Sequence, residues 1–319
     1  MKPIAYKNLF RGFADTRQGG RRENQDSCAW CESPHGLLIT VCDGMGGGPA
    51  GKLASSLAVN SIAEYIKNTK DTSDKCKLVE NAILYANHCI LDYAEEDPDL
   101  RGMGTTATVL LINEQSAAVA HVGDSRIYQL RRGKKVFRTW DHSLVFKKIE
   151  DKIYKNEEEA RTAAESNVIL QSLGRSELRQ VDVKELPYEK HDRFLLCTDG
   201  IWGAFPEEDI IKMASAKELS GAMDSLIVRV DSEGFKSGGL HDNLTAAILE
   251  TRKESLLKDT MSTKQKTMVT ILAVLCTLSI IANILLLFGR KPDSGLNNGA
   301  VQQQQDSTVI QQEHNPNNE

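Results

Sequence analysis

The chain has 319 residues and a formal net charge of −5. No Lys/Arg block with interleaved aromatics accompanies that mild acidity, which excludes a nucleic-acid-binding face of the usual basic kind. The length allows one large domain of about 250 residues whose core needs no disulfide.

In chain order, residues 1–20 are polar and Arg-bearing and lack the apolar stretch of a signal peptide, so this part is expected in the cytosol. Seven cysteines (Cys28, Cys31, Cys42, Cys76, Cys89, Cys197 and Cys276) are odd in number and irregularly spaced. Several lie in apolar runs, the pattern of buried free thiols in a reducing compartment. Cys28 and Cys31 form a lone C-x-x-C with no second ligand pair nearby and read as two thiols on a strand.

LLITVC (37–42) predicts a buried strand ending at Asp43, after which DGMGGG breaks regular structure. Leu53, Leu57, Ala58, Ile62, Tyr65 and Ile66 recur at helical spacing over 50–67. Leu78, Val79, Ile83, Ala86, Ile90 and Tyr93 do so over 74–95. Strand-like runs at 105–112 and 117–122 flank NEQS, and those at 126–130 and 135–139 flank RRG, which predicts two hairpins. Residues 141–178 are charged, with short helical stretches, and read as an inserted flap. A strand at 193–197 ends near Asp199, helices are expected at 207–214 and 217–232, and a last strand at 243–249. Hairpins without a repeated βαβ unit favour two antiparallel sheets covered by helices over a doubly wound parallel sheet.

Several aspartates share one kind of position. Asp43 and Asp199 follow apolar strands and precede glycine; Asp124 follows AVAHVG; Asp242 immediately precedes NLTAAIL; Asp26 closes RRENQD before another expected strand. An isolated Asp-Gly is usually a turn or a cap. Five such residues in one domain are better explained as carboxylates converging at a sheet edge. They would raise one another's pKa unless cations neutralised them, and an all-oxygen set suits Mg2+ or Mn2+.

RRENQD, VCDGMGGGPAG, GTTATVLLI, AHVGDSRIYQLRRG, WDHSL, NVILQSLG, LLCTDGIW and HDNLTAAIL, in this order over about residues 10–250, resemble the motifs of the metal-dependent protein phosphatases of the 2C type, above all the bacterial branch. The resemblance implies an α/β fold, a four-layer αββα sandwich of two antiparallel sheets, with a metal centre at one edge. It also implies hydrolysis of phosphoserine and phosphothreonine on proteins, with Mn2+ or Mg2+ as two bridged ions and a weaker third. Asp43 matches the bridging ligand and Gly44 the backbone carbonyl ligand. Asp199 and Asp242 match the remaining ligands of the first ion, Asp26 the acidic residue near the second, and Asp124 a ligand of the third. Arg21 matches the arginine that holds the substrate phosphate, a task suited to its paired donors. A water shared by two divalent ions is acidified, so no side-chain nucleophile is required. Cys197 lacks a C-x₅-R loop, which argues against a phosphocysteine route. Met45 stands where some relatives carry a proposed histidine acid, and the general acid is unassigned. His142 and His241 read as structural. A phosphoprotein-binding module with the same fold and no turnover is the rival reading, opposed by the retained aspartates. A phosphatase for a regulatory protein outside kinase signalling is another.

Residues 267–288 carry no charge, enough for one membrane-spanning helix across about 30 Å of hydrocarbon. Arg252, Lys253, Lys258, Lys264 and Lys266 precede it and Arg290 and Lys291 follow, which predicts a cytoplasmic catalytic domain. The expected organisation is a phosphatase domain over 1–250, a linker over 251–266, the membrane helix, and a disordered polar tail over 289–319. The expected partners are phosphorylated proteins, including a Ser/Thr kinase or its substrates, and a membrane, with no nucleic acid.

Overall fold

A computed structural model gives the fold and describes residues 1–257 apart from 47–48, 71–73, 162, 164, 166 and 179. The expected membrane helix at 267–288, the polar tail and the linker beyond Leu257 lie outside the described residues. Among the described residues no helix is long and apolar enough to cross a membrane.

The elements are β1 (Lys2–Tyr6), β2 (Phe10–Arg17), β3 (Ser27–Ser33), β4 (Gly36–Cys42), β5 (Gly44–Met45), α1 (Pro49–Asn68), α2 (Lys75–Glu96), β6 (Gly104–Thr105), β7 (Ala107–Ile112), β8 (Ala117–Val122), β9 (Arg126–Arg131) and β10 (Lys134–Arg138). They continue with α3 (Leu144–Glu150), α4 (Glu157–Arg161), β11 (Asp182–Leu186), β12 (Arg193–Cys197), α5 (Asp199–Trp202), α6 (Glu207–Ala214), α7 (Leu219–Asp224), α8 (Val230–Lys236) and β13 (Leu244–Thr251). One sheet runs β1-β2-β13-β12-β9-β10 and the other β11-β8-β7-β4-β3, with a small β5-β6 pair. All the pairings are antiparallel.

The period-2 alternation of side chains builds the layers. On β4, Leu38 and Cys42 face α1 and α2, where Ala54, Ile62, Val79 and Ile83 meet them. Leu37, Ile39 and Val41 face the other sheet, against Phe10, Phe194 and Leu196. On β12, Leu195 and Cys197 turn outward to Ile210, Met223 and Leu226 of the second helical layer. Strands β4, β7 and β8 are buried along their whole length because each face has a cover. The two antiparallel sheets flanked by helices are thus as the sequence predicts.

Local chemistry sets the element ends. Asp74 caps α2, its Oδ1 accepting from Lys77 N at 3.0 Å. Arg132 and Gly133, both at positive φ (51° and 76°), make the two-residue turn between β9 and β10. Cys28 and Cys31 are free thiols on β3, packed against opposite faces of their sheet. Three details differ from expectation. The helix over 217–232 is α7 and α8 joined by a π-helical turn, Ser225–Arg229. Strand β11 has no counterpart in the prediction. The chain after β13 also stays on the domain: Ser255 N donates to Tyr188 O at 2.8 Å, and Leu256 and Leu257 N donate to Glu114 and Gln115 O at 2.9 and 2.7 Å.

Candidate metal centre

Strand register alone gathers the five aspartates. Ser27 pairs with Cys42, so Asp26, just before β3, sits beside Asp43, just after β4. Cys197 pairs with both Ala246 and Arg126, so the end of β12 meets the starts of β13 and β9. Asp199 therefore comes close to Asp242 before β13 and Asp124 before β9. Ala107 opposite Val122 brings the end of β8, hence Gly123 and Asp124, back toward the β4–β5 turn. All five lie where strands of both sheets begin or end on one edge.

Hydrogen bonds lock the backbone there. Asp43 N donates to Thr106 Oγ1 at 2.8 Å, while Thr106 N and Thr105 Oγ1 both donate to Asp43 O at 2.8 Å. A Cβ on Gly44 would meet the carbonyl oxygen of Gly51 at 2.0 Å, so only glycine fits against α1. Thr198 Oγ1 donates to Asp26 Oδ2 at 2.9 Å, and Lys52 Nζ donates to Asp26 O at 2.7 Å. Asn243 ties the loop after β2 to β13: its Nδ2 donates to Gln18 O and Glu23 O, and its Oδ1 accepts from Gln25 N.

The carboxylates are held under mutual repulsion. Burial, then the neighbouring carboxylates, pushes Asp43 and Asp124 well above the ordinary range. Burial, partly offset by hydrogen bonds from Thr245 and Thr198, raises Asp26 to about 7. Burial and Asp242 raise Asp199 to about 6. One oxygen each of Asp26, Asp124 and Asp199 is buried without a hydrogen-bond partner. Such oxygens, buried beside other carboxylates, fit hard divalent cations, which take oxygen ligands. Asp26, Asp43, Asp124, Asp199 and Asp242, with the Gly44 carbonyl, would hold them.

Arg21 lies at the mouth, its side chain 55% exposed, and Nη2 donates to Asp242 Oδ2 at 2.8 Å. His142 anchors the flap: its N donates to Gly123 O at 2.8 Å and its O accepts from Leu170 N at 2.8 Å. His241 Nε2 pairs with Asp231 Oδ1 at 2.9 Å, and the ring rests edge-on against Phe235. Residues that sequence reasoning passed over are Thr106, Thr198, Asn243 and the buried pair Arg126–Asp141. The guanidinium of this pair grips the carboxylate through Nε (2.9 Å) and Nη2 (2.7 Å) under the Trp202 ring. Thr198, Asn243 and Arg126 carried a signal in their closeness to the named aspartates in CTDG, HDN and GDSR, and Asp141 in its place beside His142 in WDHS, whereas Thr106, in GTTA, carried none of that kind. A groove of about 610 Å³ leaves Asp124 and Asp199 between Phe146 and Glu157 of the flap region and Trp202, Phe205 and Glu207 opposite.

Residues 15–245 match the family pattern described as protein phosphatase 2C. The serine/threonine phosphatase stp of Listeria welshimeri is 34% identical over 245 residues, 75% of this chain and 94% of that protein. Among solved structures, the S. agalactiae serine/threonine phosphatase superposes with a TM-score of 0.66 at 30% identity, over 76% of this chain and 99% of that one. The catalytic domain of the serine/threonine protein phosphatase PstP, in complex with two manganese ions, superposes with a TM-score of 0.64 at 28% identity, over 77% of this chain and 99% of that one. With the fold, the motif order and these likenesses in agreement, the chain belongs to the protein phosphatase 2C family.

Proposed function

We propose that this protein is a metal-dependent phosphatase that hydrolyses phosphoserine and phosphothreonine on proteins, opposing a Ser/Thr kinase. The observation that carries the reading is the meeting of five carboxylates from separate strand ends, three with a buried, unpartnered oxygen. Bound Mn2+ or Mg2+ supplies Lewis acidity and a water acidified for attack. The chain's own groups do the rest. Asp43, whose backbone is held by Thr105 and Thr106, would hold the paired ions, and Asp124, which lines the flap groove, would hold a third. Arg21 is exposed and bound to a single carboxylate, so a phosphate dianion can compete for its fork. Met45 offers no proton to the leaving oxygen. A module without turnover would have no reason to retain the carboxylates' repulsion. The decisive experiment measures release of phosphate from a phosphothreonine peptide, with Mn2+, with Mg2+ and with EDTA. Turnover that persists in EDTA, or no turnover with either ion, would overturn the proposal.

The finer reading is a membrane-bound enzyme. The uncharged run 267–288 and the excess of Lys/Arg before it favour a single span with the phosphatase domain on the cytoplasmic side, near a membrane-bound kinase or its substrates.

A further inference from the structure

A second cluster of ligand-type side chains lies off the carboxylate centre. Strand β11 pairs with β8 so that Asp182 stands directly opposite His121. The His142 ring lies on that of His121, with centroids 4.5 Å apart. One ligand atom from each of His121, His142 and Asp182 falls within 4.8 Å of the other two. His142 Nε2 and Asp182 Oδ2 are 3.3 Å apart. An ion with bonds of about 2.0–2.1 Å in tetrahedral geometry holds its ligands roughly 3.3–3.5 Å apart. One edge of the polyhedron therefore exists already.

Hydrogen bonding fixes the protons. His121 Nε2 contacts the Trp140 carbonyl at 2.8 Å. A carbonyl only accepts, so Nε2 carries the hydrogen and Nδ1 presents a bare lone pair. That Nδ1 is buried and has no partner, on a residue 1% exposed. Burial, and then His142, pushes His121 down to about 4, which keeps it a neutral donor at physiological pH. A ring N–H held by a backbone carbonyl is the usual support of a ligating histidine. Asp182 has matching support, because Gln180 Nε2 donates to its Oδ1 at 2.6 Å and leaves Oδ2 for the cluster. A groove of about 440 Å³ lined by His121, Trp140 and Asp182 runs beside the cluster.

We propose that His121 Nδ1, His142 Nε2 and Asp182 Oδ2 form a second cation site, selective for Zn2+ or a similar borderline ion such as Co2+. Two imidazoles and one carboxylate suit such ions, whereas the all-oxygen centre suits Mg2+ and Mn2+. Occupancy has a local consequence. Gly123 N now donates to His142 Nδ1 at 3.3 Å. An ion on Nε2 moves that ring's proton to Nδ1, so this long bond is the one given up. Gly123 precedes Asp124, and the site is therefore coupled to the loop that carries that carboxylate.

The test titrates Co2+ and then Zn2+ into the full-length protein in a large excess of Mg2+. Expected is a visible absorption band of four-coordinate cobalt with nitrogen ligands, bleached by one equivalent of Zn2+, together with a shift of the Gly123 amide resonance. Asp182→Asn, on an edge strand, should weaken Co2+ binding at least tenfold, as should His142→Gln. Asp43→Asn, at the other centre, should keep the band. A band retained by Asp182→Asn and lost in Asp43→Asn would overturn the proposal, as would complete displacement of Zn2+ by Mg2+.

Discussion

At Asp43 several demands fall on one residue: its backbone closes the β4–β5 turn against Thr105 and Thr106 while its carboxylate faces the other four. Asp43→Asn preserves the shape and removes the charge. It should abolish turnover with Mn2+ while leaving the circular dichroism spectrum unchanged; full activity would sink the assignment. Arg21 is the opposite case, exposed and bound only at its tip. Arg21→Ala should lower kcat/KM by roughly 10- to 100-fold, an estimate from the loss of about 1.5–3 kcal/mol in charge-assisted hydrogen bonds. Its Mn2+ titration should stay close to that of the unsubstituted protein. An altered metal titration at constant kcat/KM would reassign Arg21 to the metal centre through Asp242. Asp124→Ala, placed beside the flap groove, should keep two ions and lose most activity. Loss of all bound metal by mass spectrometry would contradict it. The Arg126–Asp141 pair is almost wholly buried, and Asp141→Ala strands its guanidinium. That should lower stability by about 3–5 kcal/mol in urea unfolding.

At the scale of elements, the sheet edge stores the repulsion of five strand ends, and this has a pH signature. A carboxyl whose folded pKa is raised favours folding only while protonated. Its contribution is full below the ordinary 3.8 and is lost as pH rises through the folded values, about 6 for Asp199 and about 7 for Asp26. The metal-free protein should therefore melt at a progressively lower temperature from pH 5 to pH 8, and saturating Mn2+ should remove most of that decline. A melting temperature in EDTA that rises over this interval would contradict the picture. The carboxylates were legible in sequence because each follows or precedes an apolar strand with a turn signal, and register then needs no further information to join them. Strand β11 was not legible: DVKEL is an edge strand with charged side chains and carries no core-facing alternation. For the same reason the His121–Asp182 pairing is invisible in sequence, since it exists only through the register of that edge. The single helix expected over 217–232 is helical from Leu219 onward, and Leu226, Ile227 and Val230 lie in the core there. Periodicity alone did not reveal the π-helical turn that presents them.

At the scale of the whole molecule, the end of the domain sets how a membrane anchor would act. Thr251 closes β13, yet Ser255, Leu256 and Leu257 remain hydrogen-bonded to the loop before β12 and to the β7–β8 turn. The domain thus extends past the boundary at 250 that apolar patterning predicts, because this last segment is held by backbone bonds rather than by a buried stripe. Only residues 258–266 then separate it from the uncharged run at 267. A chain of that length reaches at most about 30 Å. If 267–288 spans a membrane, the metal centre is confined to a thin layer beside it, and phosphoproteins in that membrane meet it at raised effective concentration. Tethering alters encounter and leaves chemistry alone. A chain ending at residue 257 should therefore keep its kcat/KM on a soluble phosphothreonine peptide and lose efficiency on a phosphoprotein reconstituted into the same vesicles. A chain ending at 252 should in addition melt at a lower temperature, because it lacks the contacts of Ser255–Leu257. Equal loss on both substrates in the 257 chain would show that the apolar run serves the fold, and protease added outside intact cells should reach the Gln-rich tail while sparing the phosphatase domain.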